Sequence, residues 1–321
     1  MLTVSLALLV AVANPVDDRA ARLAKMERVM GPYPPATRAV PLDVQILEET
    51  DLPDHTRIKL TFAPEAGDRV PAYLLLPKGV TGKRPAVLCL HQTIAIGKGE
   101  PVGLGAQESK RQALHLVRRG YVCLAPDYPS FGDYKYDFPA AFKRGDCQSG
   151  VMKAVWNNRR AVDLLTARPD VDPARIGAIG HSLGGHTALF AAAFDDRIKA
   201  TVTSCGFCSF PTYYGGNLKG WTSDRYMPRI ASEFGSDPGR APFDFDDVLA
   251  AIAPRAVLAV APLHDSNFAV QGVRDVVAKV TPVYAKLGAA DKLRAIYPDA
   301  GHDFPADARE TAYRFLDEML R

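Results

Sequence analysis

The residues Ile176-Gly177-Ala178-Ile179-Gly180-His181-Ser182-Leu183-Gly184-Gly185 contain the pattern G-x-S-x-G, centred on Ser182. An apolar, strand-like run precedes the serine and an alanine-rich, helix-like run follows it. A serine on so sharp a strand-to-helix turn has strained backbone angles. Side chains two residues to either side would collide, so both flanking positions are glycine. The turn raises the hydroxyl to the N-terminus of the following helix. Free N–H groups and the positive end of the helix dipole there favour a developing oxyanion. The chemistry this predicts is nucleophilic attack by Ser182 on an acyl carbon.

Serine needs a base in contact with it. His302, in Asp299-Ala300-Gly301-His302-Asp303-Phe304, falls between the last predicted strand and the last predicted helix, at the sheet end that carries Ser182. The other six histidines fit less well. His181 and His186 lie in the turn and helix of the serine itself, His91 ends a strand, His55 lies on an early turn and His115 on a helix. His264 adjoins Asp265, which is expected to orient His302 and stabilise its cation. Asp299 and Asp303 are closer to His302 in sequence and are expected to cap its turn. The chain order serine, acid, histidine is that of the α/β-hydrolases. Two backbone donors should bind the oxyanion. The N–H of Leu183 is one, and Thr93 after the run Ala86 to Leu90 is the other, with Gln92 as the alternative. Aromatic residues crowd the same predicted loops, and Tyr128, Tyr214 and Trp221 are the expected substrate contacts. An aromatic core that ties those loops down would use the same residues.

The elements that must hold these groups follow from hydrophobic periodicity. A helix is predicted over 17–30. Three strands over 42–47, 57–62 and 70–76 follow with no helix between them, and should pair antiparallel. From about residue 85 strands and helices alternate. Strands are predicted at 86–90, 121–125, 176–179, 198–203, 256–260 and 293–297, and helices at 108–119, 150–168, 183–194, 270–287 and 306–320. This predicts an α/β fold with a mostly parallel sheet, antiparallel N-terminal strands and helices on both faces. Residues 205–251 interrupt the alternation and read as a functional insertion or lid.

The chain of 321 residues has 39 basic and 36 acidic residues, a net charge of +3, with 47% hydrophobic residues. That is the balance of a folded globular chain, and it gives no electrostatic case for a nucleic-acid partner. Residues 1–13 form a short apolar stretch ending in Ala11-Val12-Ala13 and read as a signal peptide cut before Asn14. The stretch is shorter than the roughly 20 residues of a stable membrane anchor. A secreted or periplasmic protein is expected, with residues 14–321 as a single domain. Five cysteines cannot all pair. Cys89 and Cys123 sit in predicted buried strands, and export would permit one disulfide among Cys147, Cys205 and Cys208. The spacing Cys205-x-x-Cys208 has no second pair to complete a zinc tetrad.

Taken together, Leu90-His91-Gln92-Thr93, Gly120 to Tyr128 with its Pro126-Asp127, Gly180 to Gly185 and Gly301-His302-Asp303-Phe304 resemble the α/β-hydrolase superfamily, in its dienelactone-hydrolase-like and acetyl-xylan-esterase-like branch. The resemblance spans residues 40–320. Gln92 stands where that family has a glycine, and Ser182 replaces the cysteine of true dienelactone hydrolases. It implies an α/β-hydrolase fold and a serine esterase without metal or organic cofactor, acting on a short-acyl ester of a carbohydrate or aryl alcohol. The alternatives are a peptidase resembling the prolyl oligopeptidase catalytic domain, and a non-catalytic binding module with a relict triad.

Overall fold

A computed structural model describes residues 15–321. The predicted signal peptide and its cleavage site lie outside these residues. Among the described residues, no helix is long and apolar enough to cross a membrane.

The chain begins with α1 (Pro15–Met30), whose Met26, Val29 and Met30 are buried. Strands β1 (Gln45–Asp51), β2 (His55–Phe62) and β3 (Val70–Pro77) form an antiparallel meander. Strand β1 starts three residues later than hydrophobicity suggests. It is an edge strand exposed on both faces, so burial does not set its bounds. Then come β4 (Arg84–Leu90), α2 (Gln112–Arg118), β5 (Val122–Pro126), α3 (Phe138–Arg144) and α4 (Gly150–Thr166). They are followed by β6 (Val171–His181), α5 (Leu183–Phe194), β7 (Ile198–Ser204), α6 (Arg229–Ser232) and α7 (Phe245–Ile252). The chain ends with β8 (Ala256–Val260), α8 (Val270–Lys286), β9 (Leu293–Ile296) and α9 (Ala306–Leu320).

The strands make one sheet in the order β1-β2-β3-β5-β4-β6-β7-β8-β9, parallel from β5 to β9. Its central strands are buried on both faces, so their side chains alternate between two cores. Ala86, Leu88 and Leu90 of β4 join the larger core with residues of α1, α4, α5, α7 and α8. Val87 and Cys89 face the other core, under α2 and α9. This is the α/β-hydrolase fold.

The stretch 205–251 packs more tightly than a lid reading implies. Phe207, Phe210, Trp221, Phe243 and Phe245 are all buried against Phe190 of α5 or one another. Its last residues form α7, a crossover helix between β7 and β8. The Asp244 carboxylate caps that helix through the N–H of Phe245 and also accepts from the N–H of Phe210, pinning the start of the stretch to its end. All five cysteines are free, so the expected disulfide is absent.

A buried ion pair fixes the loop after β4 to the loop after β5. Lys98 Nζ lies 2.7 Å from Asp127 Oδ2, and both side chains are almost wholly enclosed. The Asp127 carboxylate also accepts from the backbone N–H of Lys98 and of Asp133. Lys98 Nζ also lies 2.8 Å from Asp133 Oδ2, so removing Asp127 leaves the lysine one carboxylate but takes the acceptor from two backbone N–H groups. Asp127→Ala is therefore expected to destabilise the protein by about 1–3 kcal/mol, read from chemical denaturation.

Candidate active site

Three loops at the C-terminal ends of parallel strands meet above the sheet, where ligands of open α/β folds bind. They follow β4, β6 and β9, and β8 supplies a fourth. Ser182 sits between β6 and α5 with φ of 53° and ψ of −116°, a left-handed conformation costly for a residue with a side chain. The bond from its N–H to the Ser204 carbonyl, 2.8 Å, holds it there. Close packing explains the flanking glycines. A Cβ on Gly180 would enter the backbone of Gly184, and a Cβ on Gly184 would enter the carbonyl of Leu90. Ser182 begins α5 without capping it through its side chain, which leaves the hydroxyl free for another partner.

His302 Nδ1 is 2.9 Å from both oxygens of Asp265. A carboxylate only accepts, so Nδ1 carries the hydrogen and Nε2 keeps its lone pair. Asp265 also accepts from the N–H groups of Asn267 and Phe268, at 2.8 and 3.0 Å. Burial pushes its carboxyl pKa up. The hydrogen bond and charge of His302, aided by the two N–H groups, outweigh this and hold it below the ordinary carboxylate value. Asp265 is thus the carboxylate that His302 Nδ1 meets. Asp299 instead pairs with exposed His264, and Asp303 with Lys110 and Ser109.

Ser182 and His302 line one cavity of about 460 Å³, together with Leu183, Thr93 and Trp221. No side-chain hydrogen bond links the serine hydroxyl to His302 among the described residues. Such contacts often tighten only around a substrate. The backbone N–H groups of Leu183 and Thr93 make no internal hydrogen bond among the described residues.

Two of the three predicted substrate contacts are elsewhere. Tyr128 is buried beneath the turn with Phe131 and Leu183. Its hydroxyl donates to the Arg225 carbonyl and its N–H to His91 Nε2, so it ties loops together. Tyr214 has φ of 46°, and the chain turns its ring to solvent, 57% exposed, with the hydroxyl on Asn267. Its neighbour Tyr213 lines the cavity in its place. Trp221 lines it.

The cavity also includes residues that motif reasoning passed over: Gln107, Lys110, His181, His186, Asn267 and Phe268. His181 packs 5.0 Å from the His302 ring, centroid to centroid. Burial, Lys110 and His302 hold its pKa well below the ordinary imidazole value, so it remains neutral beside the base. Cys205, Asp265 and His302 could each offer a metal ligand atom, all within 4.8 Å. Two of these groups, His302 and Asp265, already hydrogen-bond to each other. Burial and the charge of Asp265 push the Cys205 thiol up, and the thiol donates to the Asp303 carbonyl at 3.3 Å.

The sequence profile of a family described as the prolyl oligopeptidase family matches residues 108–321. YtaP of Bacillus subtilis (strain 168), named as a candidate hydrolase, is 31% identical over 317 residues, covering 94% of this chain and 100% of its own. Among solved structures, a glucuronoyl esterase from Solibacter usitatus superposes with a TM-score of 0.75 at 20% identity, over 94% of this chain and 92% of that one. Acetyl xylan esterase 1 from Thermoanaerobacterium sp. JW/SL YS485 gives 0.62 at 17% identity, over 95% and 94%. At these identities the structural likeness is one of fold.

Proposed function

The chain belongs to the prolyl oligopeptidase family of α/β-hydrolases, and from that premise we propose that it is a serine esterase working through an acyl-enzyme. The observation that carries this reading is a single cavity. It holds Ser182 on a strained turn and His302 with Nδ1 fixed by ionised Asp265.

In the proposed reaction Ser182 Oγ attacks the ester carbonyl while His302 Nε2 takes its proton. Asp265 holds the imidazole in its tautomer and balances the imidazolium charge. The N–H groups of Leu183 and Thr93 bind the oxyanion. His302 then gives the proton to the departing alcohol. A water molecule, deprotonated by the same imidazole, frees the acid and restores the serine. Residues 14–321 act as one catalytic domain behind a leader that directs export. The favoured substrate is a short-acyl ester of a carbohydrate or aryl alcohol. The cavity volume and the aromatic rings of Trp221, Tyr213 and Phe268 support that class.

The test is turnover of 4-nitrophenyl acetate, butyrate and octanoate beside acetylated xylan. Acetate should be preferred to octanoate, and acetic acid should be released from the xylan. No turnover of any ester would overturn the reading. Peptide-bond cleavage is the second reading, favoured by the family match, and a proline 4-nitroanilide in the same assay separates the two.

A further inference from the structure

Lys110 is a buried cation on the wall of the cavity that holds Ser182 and His302, and no step of the proposed reaction uses it. It ends Glu108–Lys110, the single turn before α2. Its side chain is 4% exposed, and among the described residues its only carboxylate partner is Asp303. Enclosing an ammonium is costly, and an uncharged side chain of similar length would fill the same space without that cost. Packing alone therefore does not account for the charge.

The residue it holds does. Asp303 directly follows His302, and its Oδ1 accepts from Lys110 Nζ and, at 2.8 Å, from Ser109 Oγ. Its carbonyl accepts from Cys205 Sγ at 3.3 Å. One residue on, the Phe304 carbonyl accepts from Arg309, whose guanidinium Glu108 of the same turn holds at 2.9 Å. The turn 108–110 thus grips the chain immediately after His302, while Asp265 fixes the ring at Nδ1.

The same pair shapes the field at the base. Burial raises the Asp303 carboxyl pKa, but Lys110, the N–H of Phe304 and Ser109 outweigh it and hold it far below the ordinary carboxylate value, so Asp303 is ionised. Three other groups face His302: Asp265, the His181 ring at 5.0 Å, and Cys205, whose sulfur lies within 4.8 Å of ligand atoms on both His302 and Asp265. His181 is held neutral, and burial with the charge of Asp265 pushes the Cys205 thiol up. After burial, the causes acting on His181 are Lys110, His302 and Asp303, so these charges share one neighbourhood. The pair Asp299–His264 on the same loop is exposed and screened by solvent. Beyond Asp265, the charges at the ring are therefore Asp303 and Lys110, equal and opposite.

We propose that Lys110 is a positioning residue of the site: paired with Asp303, it pins the histidine loop and cancels the charge beside His302, and so sets the pH range in which His302 acts as a base. The proposal rests on the esterase reading for the reaction that His302 serves.

The test is the pH dependence of kcat/KM for 4-nitrophenyl acetate in wild type, Lys110→Met, Asp303→Asn and the double variant. Removing the lysine leaves a negative charge that favours the imidazolium, so the acid limb should move up by about half a pH unit or more. Removing the carboxylate leaves a positive charge, and the limb should move down by a similar amount. The double variant should return close to the wild-type limb, because both changes act on one interaction. A loop that is merely loosened lowers kcat and leaves the limb in place; that result, or shifts of one sign in both single variants, overturns the proposal. Should Lys110→Met fail to fold, Asp303→Asn carries the test through its downward shift, since that side chain is half exposed and asparagine keeps an oxygen for Lys110 and Ser109. A second arm needs no turnover. In Ser182→Ala the His302 ring resonance, identified by its loss in His302→Gln, is titrated by NMR. Adding Lys110→Met or Asp303→Asn should displace its midpoint in opposite directions, and a midpoint unmoved by both overturns the proposal. If the midpoints separate while wild type hydrolyses no ester, the esterase reading fails and the charge balance at His302 stands.

Discussion

Ser182→Ala is expected to lower kcat for ester hydrolysis by about 10⁴- to 10⁶-fold, with KM for whatever activity remains little changed. Everything else in the proposed reaction acts on the bond this hydroxyl forms. His302 has nothing to deprotonate without it, and the N–H groups of Leu183 and Thr93 have no oxyanion to hold. The substitution should cost little stability. The Ser182 side chain does not cap α5, and the left-handed backbone is held by the N–H bond to the Ser204 carbonyl, which alanine keeps. The unfolding free energy should therefore stay within about 1 kcal/mol of wild type. Loss of activity together with loss of fold would mean that the residue is structural.

Asp265→Asn carries the second largest effect, a fall in kcat of about 10⁴-fold. Asparagine is close to isosteric, but its amide can turn NH₂ toward His302 Nδ1. That would move the ring hydrogen to Nε2 and remove the acceptor that Ser182 needs. The same change should alter how stability depends on pH. The folded carboxyl lies below its ordinary value, so its contribution is present above the unfolded pKa of about 3.9 and is lost as pH falls through the lower folded value. Wild type should lose melting temperature on acidification below about pH 5, and Asp265→Asn should show a shallower loss. Equal slopes in the two proteins would show that Asp265 is not the ionised partner of His302.

The parts of this molecule that were legible in its sequence are those where one local rule decides. The turn around Ser182 was legible because close backbone approach forces glycine at 180 and 184. The parallel strands were legible because burial on both faces leaves continuous apolar runs, as in β4 and β8. His302 and Asp265 followed from their places after β9 and β8. Helix α7 was overlooked although its signal is present: Asp244 caps it, acidic residues fill its first turn and apolar residues follow. The Gly- and Pro-rich stretch before it hid that pattern. The same holds for α3, between its cap Asp137 and left-handed Gly145.

The substrate side of the site was less legible because an aromatic residue in a loop can face either way. Tyr213 and Tyr214 are adjacent, yet one lines the cavity and the other is exposed, and the choice rests on a backbone turn with φ of 46°. Tyr128 sits in the right loop but points under it. His186 was set aside because its helix follows the nucleophile. One helical turn nevertheless brings it from Ser182 to the cavity wall.

The most direct test of the central claim is covalent labelling with a serine-directed fluorophosphonate, read by intact mass and peptide mapping. A single adduct on the peptide carrying Ser182, lost in Ser182→Ala and much slowed in Asp265→Asn, is the predicted result. An enzyme that hydrolyses esters but takes up no label, or takes it up at a residue other than Ser182, would contradict the account.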